Sequence, residues 1–521
     1  MAKPWLRHRG YLHLTPQLNV NQDRDKIHQY VTDPVKVGSH HFSPLLYKTI
    51  TERRFKKTYS GGTAIRAHKW IDDKGEIILG AKKRPIHYAT HIDAAIYAYY
   101  ANRILGRAYE ELLQDAPDLS QCITAYRVTP KGKKGRNNIH CAKEVFDLIK
   151  HYKNCVAVAL DIKSFFSSLD HKLLKHTWCE LLGRKSLPDD HFNVFRSVTD
   201  YSFVDLADLR VGNGGFDEYK LYKNRRKGAK AFFACKDNLF NEIKNGRLRI
   251  KKNQRLGKFK RKNKHTKRWE STRCGIPQGL AVSSVLANLY MLPFDRKMLA
   301  VADAINGAYR RYSDDLVFVC SRSDLEYVFQ NVQLYIAERQ LTISTEKTEI
   351  CEFKDSGRSK MLFAKTLAST PPYSVQNERG KFTYLGFSYD GRKVLIKDRN
   401  IARYYRKMKQ TVKRTVRRAN HHKEAHLHDD VDIYLRRLRK AFKKRGSRPR
   451  KVAVYKRILQ YDNHRKEYYL SKVVLNRKQY GNFHAYARRA SKIMGEPTII
   501  GQLRNSEKIL ERCIRKRKAE F

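Results

Sequence analysis

The sequence predicts an α+β fold from three observations. Residues 156–162 are an apolar run of strand length with Asp161 at its end, the pattern of a buried strand. Residues 308–320 place two β-prone runs on either side of a short polar turn, which reads as a hairpin. Outside them, residues 94–113 and the group Ile433, Leu435, Leu438 and Phe442 carry apolar side chains at helical spacing.

Charge and pattern divide the chain, which shows no internal repeat. Residues 1–150 carry basic loops at Lys82-Lys83-Arg84 and 131–136 around the helical stretch. Residues 151–395 mix helices with short strands and enclose a polar insertion at about 205–273. The later part of that insertion, Lys251-Lys252 and then 258–268, is nearly free of acids, so it reads either as a nucleic-acid-facing extension or as a flexible loop. Residues 396–521 are rich in lysine and arginine and read as a helical module with one apolar stripe and a basic outer face.

With 521 residues, 41% hydrophobic and 11% aromatic, the chain has enough apolar material for a large core, which excludes a disordered protein. Its net charge of +57 is far beyond what solubility needs and implies a polyanionic partner, nucleic acid first of all. Nine cysteines are scattered with no CxxC pair and no zinc spacing, so they read as reduced thiols of a cytoplasmic protein. The start, MAKPWLRHRG, leads into no apolar signal region, and no apolar stretch is long enough for a bilayer. Neither export nor a membrane partner is expected.

The chemistry concentrates at Tyr312-Ser313-Asp314-Asp315, the predicted hairpin tip. Adjacent carboxylates repel one another and favour a cation beside them, although an exposed acidic turn explains such a string equally well in isolation. Asp161 adds a third carboxylate at a strand end, where an unpaired buried charge is costly. Together the three acids offer oxygen ligands for two Mg²⁺ ions, with Mn²⁺ as a substitute. Between them runs Cys274-Gly-Ile-Pro-Gln278-Gly279. There Gly279 would let the backbone approach a nucleotide closely, and Ser283 or Ser284 would cap the following helix.

Taken in order, Asp161 with Phe165-Phe166, Gly275-Ile-Pro-Gln278-Gly279, Tyr312-Ser-Asp314-Asp315, Glu346-Lys347-Thr348 and Tyr384-Leu385-Gly386-Phe387 resemble the palm motifs of reverse transcriptases. Lys83-Arg84-Pro85-Ile86 with Asp93, and Ala125-Tyr126-Arg127, resemble the fingers motifs of their group II intron-like prokaryotic branch. The resemblance spans residues 80–395. It implies a right-hand polymerase, with fingers up to about 150, a palm from 151 to 395 and a helical, thumb-like C-terminal module. It also implies an RNA-directed DNA polymerase taking dNTPs, an RNA template and a DNA product. Asp161, Asp314 and Asp315 would be metal ligands, with the Ile162 carbonyl beside them. Phe166 would be the steric gate under the sugar, Gln278 and Gly279 would line the nucleotide and template site, and Tyr312 would face the primer end. Lys347 would lie near the departing phosphates, and Lys83, Arg84 and Arg127 would hold the triphosphate.

No endonuclease, RNase H or integrase signature is visible, and the retron-type Val-Thr-Gly is replaced by Val128-Thr129-Pro130. His421-His422 and the His426/His428 pair read as a surface feature rather than a zinc or nuclease site. The chain most resembles the defence-associated and abortive-infection enzymes of bacteria, which implies a structured noncoding RNA template. The alternatives are a group II intron-like or retron-like enzyme outside defence, an RNA-templated RNA polymerase or primase-like enzyme, and a non-catalytic, maturase-like RNA-binding scaffold. The template sequence, the priming mode and the oligomeric state, a homo-oligomer included, are not encoded in these motifs.

Overall fold

The computed structural model describes residues 5–519 apart from 8, 10, 12, 16–17, 19, 21–22, 54–55, 61–62, 68, 72–74, 128–135, 210–230, 234–235, 247, 263–268, 358–360, 426–434, 445–449, 463–466 and 480. The Val128-Thr129-Pro130 string, most of the basic loop at 131–136, Cys235, His426, His428, Ile433 and parts of the insertion therefore lie outside the described residues.

Cys155–Asp161 lies inside a six-stranded antiparallel sheet ordered Ala308–Tyr312, Asp315–Cys320, Cys155–Asp161, Glu349–Asp355, Leu362–Leu367, Val375–Asn377. Its continuous apolar run follows from having packed layers on both faces, because successive side chains of a strand point to opposite sides. Val156, Val158 and Leu160 join Leu316, Phe318 and Ile350 in one core with the helix Ala281–Ala304. Ala157 joins Val317, Val319, Cys351 and Phe353 in the other, with the helix Asn138–Tyr152. That second core also takes in the small sheet Phe382–Tyr384, Phe387–Tyr389, Val394–Ile396 and side chains of the C-terminal helices Phe483–Met494 and Ser506–Lys518. This is an α+β architecture, with helices packed on both faces of an antiparallel sheet.

A second sheet leads with the edge strand Ala81–Tyr88, followed by Leu45–Arg53, Ser202–Asp205 and Lys251–Lys252. Lys82, Lys83 and Arg84, expected in a loop, are strand residues here, because Ala81–Tyr88 pairs along its whole length with Leu45–Arg53. Pro85 is tolerated on such an edge. The helical stretch at 94–113 is observed as His91–Tyr99, a π-turn at Tyr100–Ile104, and Leu105–Gln114. Thr90 caps its start by accepting from the Asp93 N–H.

Two further expectations are corrected. Ser283 and Ser284 sit inside the helix Ala281–Ala304, where the Ser283 hydroxyl donates to the Pro277 carbonyl and that of Ser284 to Ala281; neither is the cap. The C-terminal module is not wholly helical: Arg450–Asp462 and Glu467–Gln479 form an antiparallel hairpin, where β-branched and aromatic residues outweigh the basic composition that suggested helix. Among the described residues no cysteine is in a disulfide and no helix is long and apolar enough to cross a membrane.

What fixes the hairpin 308–320 against the rest is a fully buried ion pair. The Arg311 guanidinium donates to both Asp295 oxygens, Nε to Oδ1 at 2.7 Å and Nη2 to Oδ2 at 2.6 Å, and both side chains are 0% exposed. Nη1 donates to Asn288 Oδ1 at 3.1 Å and to the Ser313 carbonyl at 3.2 Å, and the Tyr309 hydroxyl donates to Asp295 Oδ1 at 2.8 Å. Such a pair tolerates burial only because its hydrogen bonds are satisfied. Arg311→Met, which strands the Asp295 charge, should therefore cost about 3–5 kcal/mol in urea unfolding. Adding Asp295→Leu should recover most of that loss; a single variant within about 1 kcal/mol of the parent would show that the pair is not what holds the hairpin.

Candidate active site

The hairpin closes through a two-residue turn, Ser313-Asp314, with Tyr312 paired to Asp315. Ser313 adopts φ 62°, a left-handed conformation that a non-glycine residue takes only when its surroundings impose it. Here the Arg311 guanidinium grips the Ser313 carbonyl from below. Asp315 also pairs in register with Asp161 on the next strand, and the Ile162 N–H donates to the Asp314 carbonyl at 3.0 Å. On its other side, the Ser344 N–H donates to the Asp161 carbonyl at 2.7 Å, and Ile162 forms a bridge with Ile343. The sequence-predicted acids Asp161, Asp314 and Asp315 are thus brought to one end of two adjacent strands.

The electrostatics there are adverse to charge. Burial pushes the Asp315 carboxyl up to about 7, with the neighbouring charges of Asp314 and Asp161 adding to it. Asp314 is raised as well, first by burial and then by Asp161. Lys347, expected near departing phosphates, instead contacts the Asp161 carboxylate. Among the described residues no three His, Cys, Asp or Glu side chains close into a ready-made metal cage. The donor set nonetheless fits a hard divalent cation: its side-chain donors are carboxylate oxygens, and Lys347 offsets only part of their charge when all three are ionised.

Gly275-Ile-Pro-Gln278-Gly279 is fastened to both flanks. The Ile276 N–H donates to the Phe166 carbonyl and the Gly275 N–H to that of Leu169, both at 2.8 Å. This ties the segment to the turn that carries Phe166, which is half-buried and packs on Phe165 at 5.5 Å between ring centroids. The His87 N–H donates to the Gln278 carbonyl at 2.8 Å. Gly279 has φ 116°, and a Cβ there would lie 2.6 Å from the His87 carbonyl oxygen. One close approach that requires glycine here is to the Ala81–Tyr88 strand. Half-buried Tyr312 faces Tyr126, 6.4 Å between ring centroids.

The three basic residues expected at a triphosphate are not gathered. All five guanidinium N–H groups of Arg127 are used internally, on both oxygens of Glu110, the carbonyls of Ser120 and Ile123, and the Ser120 hydroxyl. That corrects its assignment: residue type does not reveal that Glu110 stands opposite. Arg84 reaches Glu52 at 3.3 Å, and Arg403, in the helix Asp398–Ala425, meets the same carboxylate. Lys83 is exposed on the strand, opposite Thr51.

Sequence reasoning missed Arg311, Asp295 and Asn288. The signal was there: Asn288 and Asp295, seven residues apart, share one face of an otherwise apolar stretch of helix, which is where buried polar partners sit.

The sign of the Asp315 shift yields a prediction. A carboxyl raised in the folded state gives stability that is present below its unfolded pKa near 4 and lost as pH rises towards about 7. The metal-free protein should lose stability over that window, and less so as Asp315→Asn. Mg²⁺ should raise Tm at pH 8 and leave it nearly unchanged at pH 5. Equal Mg²⁺ shifts at both pH values would remove these carboxylates from cation binding.

Residues 225–389 match the family described as reverse transcriptase (RNA-dependent DNA polymerase). No curated protein sequence matches the chain. Among solved structures, apo telomerase from Candida tropicalis truncated of its C-terminal domain is 11% identical with a TM-score of 0.33, over 72% of this chain and 60% of that one. Telomerase from Candida albicans with a fragment of telomeric RNA is 9% identical with a TM-score of 0.33, over 72% and 49%. Apo telomerase from Candida tropicalis is 12% identical with a TM-score of 0.34, over 74% and 56%. The chain thus spans about half to three fifths of the length of those structures. The family match includes the Ser313-Asp314 turn, Gln278, Gly279 and Lys347, while Asp161, paired with Asp315, lies upstream of it. Over residues 225–389, then, the chain is similar to the reverse transcriptase family.

Proposed function

We propose that the chain is an RNA-directed DNA polymerase that extends a primer 3′ end with dNTPs. The observation that carries this is the in-register pairing of Asp161 with Asp315 beside Asp314. The matched reverse transcriptase family supports it, and so does the +57 charge, which suits an RNA template and a DNA product. We divide the chain into fingers (1–150), palm (151–395) and a thumb-like module (396–521).

In this reading Asp161, Asp314 and Asp315, with the Ile162 carbonyl, hold two Mg²⁺ ions, for which Mn²⁺ can substitute. Bound there, the ions stabilise charge on the attacking 3′ oxygen and the departing pyrophosphate. Lys347 is the ammonium at hand for that pyrophosphate once Asp161 no longer occupies it. Phe166, tethered through its carbonyl to Ile276, excludes a 2′ hydroxyl; Gln278 and Gly279 border the base pair, and Tyr312 borders the primer end. Lys83 and Arg84 remain candidates for the triphosphate.

The finer reading, a dedicated noncoding RNA template in antiphage defence in the bacterial cytoplasm, rests on the likeness of the fingers motifs to the prokaryotic branch. Sequencing the nucleic acid that co-purifies with the chain tests it: one recurrent structured RNA supports it, and a heterogeneous pool contradicts it.

Asp161→Asn, Asp314→Asn and Asp315→Asn should each slow primer extension by at least about a thousandfold, ~4 kcal/mol, with folding and RNA binding preserved. A near-parental rate for Asp161→Asn in Mg²⁺ would refute the ligand assignment. Phe166→Ala should raise rNTP use relative to dNTP by about tenfold in paired kcat/KM measurements. An unchanged ratio with a stability loss of about 3 kcal/mol would instead make Phe166 a packing residue.

A further inference from the structure

The insertion contains an antiparallel strand pair, Leu256–Lys262 with Trp269–Arg273, that no part of the polymerase chemistry uses. Its inner face is locked down. Arg261 lies 3.7 Å from the buried Asp170. In the amide orientation that satisfies both of its ends, Gln340 donates to Asp170 Oδ2 at 3.1 Å and to Thr272 Oγ1 at 2.9 Å while accepting from Arg261 at 3.0 Å. A Cβ on Gly257 would meet Thr272 Oγ1 at 2.6 Å, so the strands pack there without room for a side chain. At the base, Asn253 Nδ2 donates to the carbonyls of Thr199 at 3.0 Å and Gly275 at 3.2 Å.

The outer face is different. Exposure alternates along Leu256–Lys262, so that Leu256, Lys258, Lys260 and Lys262 all point outward. Lys262 pairs with Trp269, which is 65% exposed, and Leu256, 63% exposed, pairs with exposed Arg273. Among its described residues this face carries four cations, one bare indole and no acid. Alternate residues of a strand are about 7 Å apart, which sets the lysines along one face of the strand, with an irregular register between Leu256 and Lys260. A rigid row of ammonium groups beside an exposed aromatic ring offers one set of groups to phosphates and another to unstacked bases. The row also runs, through Arg273 and Cys274, into Gly275-Ile-Pro-Gln278-Gly279.

We propose that this outer face binds single-stranded nucleic acid and holds the unpaired template on its way to the Gln278-Gly279 turn. That the strand is a template rests on the polymerase reading; the binding surface itself does not.

The test uses the full chain and fluorescence anisotropy with a labelled single-stranded oligo-U RNA 12-mer, in parallel with a blunt duplex of equal length, across a salt series. The variants are Lys258→Gln/Lys260→Gln/Lys262→Gln and Trp269→Ala, each checked for a parental melting curve. The triple variant should lower the slope of log K against log salt by about two, since each lost phosphate contact removes roughly 0.7. Trp269→Ala should weaken the single strand about tenfold and the duplex little. Parental affinity and slope in both variants would overturn the proposal, as would equal losses on single strand and duplex for Trp269→Ala. Primer extension is measured alongside: loss of strand binding in a chain without polymerase activity would refute the polymerase reading and keep the surface, whereas full activity with unaltered binding would do the reverse.

Discussion

The ion pair between Arg311 and Asp295 sits where three parts of the molecule meet, and the geometry of the acidic turn depends on it. Asp295 and Asn288 belong to the long buried helix, Arg311 belongs to the hairpin, and the Arg311 carbonyl accepts from both the backbone and the hydroxyl of Thr124. Asn288 in turn donates to the Ala125 carbonyl at 2.8 Å. Apolar side chains of equal volume could fill the same space at similar stability, but they would not grip the Ser313 carbonyl or define one position for the turn. A buried polar network of this kind specifies where a strained backbone goes, and here the strained residue is Ser313, next to the acids.

The same turn shows the opposition between folding and function. Charge on Asp314 and Asp315 is disfavoured by burial and by Asp161, and among the described residues Lys347 is the one cation in direct contact with that group. A site so short of positive charge is poor for stability and suited to divalent cations. Away from it the chain is strongly basic, and the docked strands Leu256–Lys262 and Trp269–Arg273 present that charge on their outer face. Cation deficiency at the centre and cation excess around it are together what a nucleotidyl-transfer site on a polyanion requires.

Much of this was legible in the sequence. Strand periodicity placed Asp161 at a strand end and the acidic pair at a hairpin tip, because a buried strand and a two-residue turn leave local patterns. What local pattern does not record is a partner far along the chain. Arg127 reads as a free cation until Glu110 is seen opposite it, and nothing near Gly279 in the sequence shows that the His87 carbonyl lies against it. Arg311 reads as one more basic residue among many, although Asp295, closing the largely apolar run 285–294, marks a buried counter-ion. Composition misled at the C-terminus, where lysine and arginine drew attention from the β-branched and aromatic residues of the strands Arg450–Asp462 and Glu467–Gln479.

The most direct test of the account is single-nucleotide extension of a DNA primer annealed to RNA, catalysed by the purified chain with and without Mg²⁺. If the paired strands form a two-metal polymerase site, one complementary dNTP is added in Mg²⁺, none is added in EDTA, and Mn²⁺ restores the reaction. Extension that persists without divalent ions, or robust RNA-primer binding with no extension under any of them, would contradict it.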